Sequence, residues 1–162
     1  MRGLIEDVNQ KKGQHEDKNA WWSERGVLVV RSKLPYGDYI LAPPIVVDTK
    51  RDIQELAYDI RSDHVRFRNA AIRAMECGSH LVILVENEDG VSSIDDLSSW
   101  TEPESTFAIR SRKSNGKAKR YEGSQLAEAC RTMTRKYGLE FDFCEPGEAG
   151  RRVLEHLGVV ME

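Results

Sequence analysis

The run Leu34-Pro35-Tyr36-Gly37-Asp38-Tyr39-Ile40-Leu41-Ala42-Pro43-Pro44-Ile45-Val46-Val47-Asp48-Thr49-Lys50 sets two carboxylates and a lysine at spacings that can do chemistry. Two strands, 38–41 and 45–48, meet across Ala42-Pro43-Pro44, a hairpin signal because proline cannot donate to a strand ladder. Side chains alternate faces along a strand, so Asp48 and Lys50 project from one side. If the loop is Ala42 to Pro44, Leu41 pairs with Ile45 and Asp38 falls opposite Asp48, with Cβ atoms roughly 5 Å apart. Like charges so placed repel and need a compensating cation, and a divalent ion that takes oxygen ligands, typically Mg2+, meets the need. The same residues also fit plainer roles: Asp38 after Gly37 as a turn residue, Asp48 ahead of a helix as an N-cap, Lys50 as a solvated strand end.

The elements that must position these groups follow from hydrophobic period. A first strand is expected over 3–8, a short helix over 19–25 carrying Trp21 and Trp22, and a strand over 27–30. Ile53, Leu56, Ala57 and Ile60 recur at helical spacing, and a second helix is expected over 63–77. The apolar run 81–85 reads as a strand buried on both faces. After a long excursion come a helix over 124–136, a strand over 139–144 and a last helix opened by Pro146. This order predicts an α/β fold with a mixed central sheet flanked by helices.

The chain has 162 residues, net charge −3 and 40% hydrophobic residues, which suits one domain over 1–162. The longest clean apolar run is too short to span a bilayer, the N-terminus lacks a secretory stretch, and Cys77, Cys130 and Cys144 form neither a disulfide framework nor a zinc pair. A reducing cytoplasm with free thiols is therefore expected, with no membrane partner. Neither GxGxxG nor GxxxxGK[ST] occurs, so no nucleotide cofactor is expected. Charge is segregated: every charged residue over 86–104 is acidic, and every one over 110–120 is basic. Ser111, Ser114, Asn115 and Gly116 lie among the basic residues, so that stretch reads as a mobile loop, either a phosphate contact through Arg112, Lys113 and Lys117 or a solvated loop without a partner. Arg66 and Arg68 are phosphate-contact candidates, with a solvated helix face as the equal alternative. His64 reads as a capping or solvent residue, Tyr36 and Tyr39 as core or site walls in preference to base-stacking platforms, and the two tryptophans as packing against the sheet in preference to stacking on an unpaired base.

Leu34-Pro35-Tyr36-Gly37-Asp38-Tyr39 followed by Val46-Val47-Asp48-Thr49-Lys50 resembles the nuclease core of XPF-type structure-specific endonucleases, within the PD-(D/E)xK superfamily and its restriction-endonuclease-like fold. The family pattern reads GDY, then VERK, with an earlier strand ending in D-x-R-E. Here Asp7 matches that strand, and 81–86 and 137–144 resemble later elements, the last like the closing strand of small bacterial and phage members. Asp48 stands for the usual Glu, Thr49 for Arg, and Asn9 and Gln10 for the Arg and Glu after the first acid. There is no room for the helix-hairpin-helix region of long members. The resemblance implies Mg2+- or Mn2+-dependent endonucleolytic hydrolysis of DNA, at branched or structured sites, in repair or recombination. Asp7, Asp38 and Asp48 would be the acidic cluster, with the Thr49 carbonyl a further metal ligand and Lys50 stabilising charge on the phosphate. A second copy joined through the nuclease domain is the protein partner it allows. The departures at Asn9 and Gln10 keep open a nuclease-fold module that binds DNA or a partner without cleaving.

Overall fold

Five consecutive buried residues, Leu81 to Val85, set the architecture, since a strand apolar on both faces must lie between two layers. The computed structural model describes residues 3–9, 13 and 16–159. The chain runs β1 (Leu4–Asp7), α1 (Glu16–Ser23), β2 (Val29–Ser32), β3 (Tyr39–Leu41), β4 (Ile45–Lys50), α2 (Ile53–Arg61), α3 (His64–Glu76), β5 (His80–Glu86), α4 (Glu104–Lys113), α5 (Gly123–Tyr137), β6 (Glu140–Cys144) and α6 (Ala149–His156). The 3-10 turns Asp96–Ser99 and Pro146–Glu148 complete it. The result is a mixed α/β fold of small sheets flanked by helices.

The strands form two three-stranded sheets. In the first, β1 is central, with β2 parallel (Asp7↔Ser32) and β3 antiparallel (Glu6↔Tyr39). In the second, β5 is central between parallel β4 (Asp48↔Ile83, Lys50↔Val85) and β6 (Val85↔Phe143). Thus β3 and β4 do not pair with each other. The prolines explain this: Pro43 and Pro44 have no N–H for a hairpin ladder, the Ala42 N–H goes instead to the Gly3 carbonyl at 2.8 Å, and the Pro44 carbonyl accepts from His80 at 2.8 Å. The expected hairpin does not form: the chain passes through Ala42-Pro43-Pro44 from one sheet to the other.

The core lies on one face of the second sheet. Ile53, Leu56 and Ala57 of α2, Phe67 and Ala71 of α3, and Leu126, Ala127 and Cys130 of α5 cover Leu81, Ile83 and Val85. On the opposite face Leu84 and Cys144 pack on Ala149 and Val153 of α6. α2 starts where Asp52 accepts from the Glu55 N–H at 2.7 Å, an N-cap one turn ahead of its apolar stripe.

The excursion over 87–122 is anchored in the core by Val91, Leu97, Trp100 and Tyr121 and tied together by charge. Arg110, Arg112 and Lys113 occupy the last turn of α4, so the basic stretch is a helix end rather than the expected loop; only 114–120 lies beyond it. Arg110 turns inward to Glu102, which is 1% exposed, donating at 2.9 and 2.7 Å; Gln54 and the Tyr121 N–H donate to the same carboxylate. Burial pushes Glu102 up, but these bonds outweigh it and hold the carboxyl below its ordinary range. Arg120 pairs with Glu104, so acidic and basic runs neutralise each other in part. Gly123 closes the excursion: a Cβ there would lie 1.9 Å from the Leu97 carbonyl oxygen, which no side chain permits.

Candidate functional site

β4 projects Asp48 and Lys50 from one face, as alternation requires, and leaves Thr49 exposed on the other. Lys50 is buried at 4% exposure, its Nζ 3.0 Å from Asp48 Oδ2 and 2.6 Å from Asp59 Oδ2. The Phe67 ring lies 5.6 Å from the same ammonium. Burial pulls Lys50 down, but hydrogen bonds to Asp59 and Asp48 outweigh it and hold the ammonium charged above its ordinary range. Asp59 is itself buried and accepts from Arg66, which also pairs with Asp63. Sequence reasoning missed Asp59. Its signal is a carboxylate three residues after Leu56, on the apolar stripe of α2, where only a paired charge is tolerated.

Asp7 ends β1 in a buried position. Its carboxylate accepts from Asn9 Nδ2 at 3.1 Å and from the Leu34 N–H at 3.2 Å. Burial raises its pKa, but the bonds from Leu34, Asn9 and Val8 prevail and hold the carboxyl below its usual range. The Asp7 N–H donates to the Asp38 carbonyl at 2.9 Å, extending the β1/β3 register by one residue. Asp38 therefore stands opposite Asp7 and not, as expected from a hairpin, opposite Asp48. Ser32, the register partner of Asp7, lines a cleft of about 410 Å³ together with Ile5, Val46, Asp48, Arg73 and Leu81. The cleft lies between the two sheets, so Asp48 on one side faces the end of β2 on the other.

The donor set Asp7, Asp38, Asp48 and the Thr49 carbonyl is hard oxygen, which suits Mg2+ or Mn2+ in type. Its members are not gathered into a ready-made cage. Among the described residues no three His, Cys, Asp or Glu side chains converge closely enough to hold a metal. One oxygen of Asp48 is taken by Lys50, and Asp7 is engaged by Asn9 and Leu34. Gln10, the other departure from the family pattern, lies outside the described residues.

Arg68, Arg112, Lys113 and Lys117 are exposed and make no ion pair among the described residues, whereas Arg66 is committed to Asp59 and Asp63. His64 starts α3 and is exposed. Trp22 packs edge-on against Tyr39 with ring centroids 5.0 Å apart, as packing against the sheet requires. Trp21 is half exposed beneath the Arg25 guanidinium, and Tyr36 is 86% exposed, so neither is a core residue and Tyr36 is no wall.

No protein-family model and no curated protein matches the chain. Among solved structures it is similar to XPF from Aeropyrum pernix in complex with DNA, at 20% identity and a TM-score of 0.44 over 97% of this chain. It is likewise similar to XPF from Aeropyrum pernix, at 19% identity and a TM-score of 0.43 over 96% of this chain. The chain spans 63% and 59% of the lengths of those two structures. Among the described residues no helix is long and apolar enough to cross a membrane.

Proposed function

We propose that this chain is a DNA endonuclease of the XPF type that hydrolyses phosphodiester bonds at branched or structured DNA, with Mg2+ or Mn2+ as its cofactor. The observation that carries the reading is the Asp48–Lys50 pair, with Asp48 lining the cleft: an ammonium kept charged at 3.0 Å from a carboxylate, on a strand paired along its length with buried β5. A fixed cation of this kind stabilises charge that develops on a phosphate oxygen, and removing one such donor from an active site costs about 10²–10³ in rate. Asp48 and Asp59 hold the ammonium from two sides. Arg68, Arg112, Lys113 and Lys117 supply unpaired positive charge for phosphates, which a chain of net charge −3 needs. A second copy of the chain, and a reducing cytoplasm for three free thiols, belong to the same reading.

A second reading has its own observation: Asn9 occupies the Asp7 carboxylate, and the acids do not converge. That favours a nuclease-fold module that grips DNA without cutting it. One experiment separates the two. Duplex, single-strand, flap and junction DNAs are incubated with the pure protein in Mg2+, Mn2+ or chelator, beside Asp48→Ala and Lys50→Ala. Chelator-sensitive cleavage lost in both variants supports the endonuclease; binding without cleavage in every condition supports the module. Cleavage by Asp48→Ala at the parent rate removes this site from the chemistry.

A further inference from the structure

We propose that Asp7 anchors a base-stacking loop, residues 33–38, which presents Tyr36 to an unpaired DNA base; this rests on the DNA-binding part of the reading above. Tyr36, at 86% exposure, is the most exposed large hydrophobic residue among those described. An aromatic ring of that size held in water forgoes burial that would otherwise favour collapse of its loop, so something else must hold the loop open. Asp7 does so from both ends. Its carboxylate accepts the Leu34 N–H before the tip, and its own N–H donates to the Asp38 carbonyl after it.

The residues between are set as stiffly. Pro35 fixes φ immediately before Tyr36, and Gly37, at φ +78°, makes the reversal immediately after it that a side chain would resist. The backbone that carries the ring therefore has little conformational freedom left to lose, which favours its use as a contact. The geometry also accounts for the engaged state of Asp7: its hydrogen bonds serve the loop, and Asn9 completes its shell.

The chemistry of the tip selects the ligand. In the chain the ring is flanked by Lys33, Gly37 and Asp38 besides Leu34 and Pro35, so the tip mixes charge with its one aromatic ring. It offers an exposed ring with a lysine three residues before it in the chain, and every base has a π-face of its own. Inside a duplex those faces are covered by neighbours, so the partner is an unpaired base: a single strand, a gap or a splayed end. Tyr36 stands two residues from Asp38, which meets Asp7 at the end of β1, so the stacked base would adjoin those two acids.

The test is a fluorescence titration with a single-stranded oligonucleotide carrying 2-aminopurine, repeated over a salt series. The wild type and Tyr36→Phe are expected to quench the probe alike, because stacking needs the ring and not the hydroxyl. Tyr36→Ala should weaken binding by about 5- to 150-fold while leaving the salt slope unchanged, since the same phosphates remain neutralised. As Tyr36 is exposed, that variant stays folded. Asp7→Ala should weaken binding less, and the Leu34 amide should exchange with solvent faster. If Tyr36→Ala binds and quenches like the wild type, the stacking loop is wrong while DNA binding stands. If the wild type binds no DNA in any form, both fall together.

Discussion

β5 buries five hydrocarbon side chains in succession, whereas the first sheet buries two carboxylates, Glu6 and Asp7, and no residue of β2 or β3. The two sheets have equal strand numbers and opposite economies. The second is held by apolar layers on both faces. The first is held by backbone ladders and by hydrogen bonds to its acids, from Asn9 and Leu34 to Asp7 and from Asn19 to Glu6. Burying polar groups in a thin sheet weakens it unless every group is paired. The contrast separates the candidate groups: Asp7 and the loop that carries Tyr36 and Asp38 belong to the sheet that contributes least to the core, whereas Asp48 and Lys50 sit on β4, the edge strand of the packed one.

The largest expected effect is in the helical layer. Glu102→Ala leaves Arg110, Gln54 and the Tyr121 N–H without their acceptor, and removing one partner of a buried pair costs about 3–5 kcal/mol. Urea unfolding followed by circular dichroism would read it; a loss below 1 kcal/mol would show that water replaces the carboxylate. Next, Leu56→Ala should cost about 2–5 kcal/mol by opening a cavity against β5, while Ile40→Ala in exposed β3 should change stability by no more than about 0.5 kcal/mol. Equal costs at the two positions would erase the distinction between the sheets.

Acid should sharpen the comparison further. Asp7 and Glu102 both have pKa values held below the ordinary carboxylate range, so the stability they contribute is present above about pH 4 and is lost as pH falls through their folded values. Hydrogen exchange at pH 3 should rise in β1 and β2, which depend on Asp7, before it rises in β5. Lys50 has the opposite sign: its contribution is present at neutral pH and is lost only as pH climbs above about 10. The smallest effect on stability belongs to Arg112, Lys113 and Lys117. Neutralising all three should change stability by no more than about 0.5 kcal/mol, yet it should flatten the salt dependence of duplex binding by about 0.9 for each phosphate no longer neutralised.

Element order was legible because it depends on local period. The stripe Ile53, Leu56, Ala57 and Ile60, the run 81–85 and the alternation before Cys144 all announce their own structure. What resisted reading was set by partners far away in sequence. α4 buries no residue fully, so its helical period is faint, and its ordering comes through Arg110 reaching Glu102. The two-proline turn was recognisable, but its consequence depended on Gly3 capturing the Ala42 N–H. Asp7, Asp48 and Lys50 were identifiable by type. Their neighbours were not: Asp59 comes from a helix packed behind the strand, and Asp38 meets Asp7 through a register that only the fold establishes.

All three cysteines are buried, and burial pushes each thiol up, Cys130 to about 12. The thiolate is the reacting form, so the native protein should be nearly inert to alkylating reagents at neutral pH. The three thiols also stand in separate neighbourhoods: Cys77 beside the cleft, Cys130 within the helical core and Cys144 beneath α6. Alkylation then keeps time, each thiol reacting only when its own neighbourhood opens, and mass spectrometry of the labelled chain reads three clocks from one sample. A Lys33→Cys substitution would add a single fast-reacting thiol, giving dyes a place to attach beside Tyr36 with the native cysteines left in place.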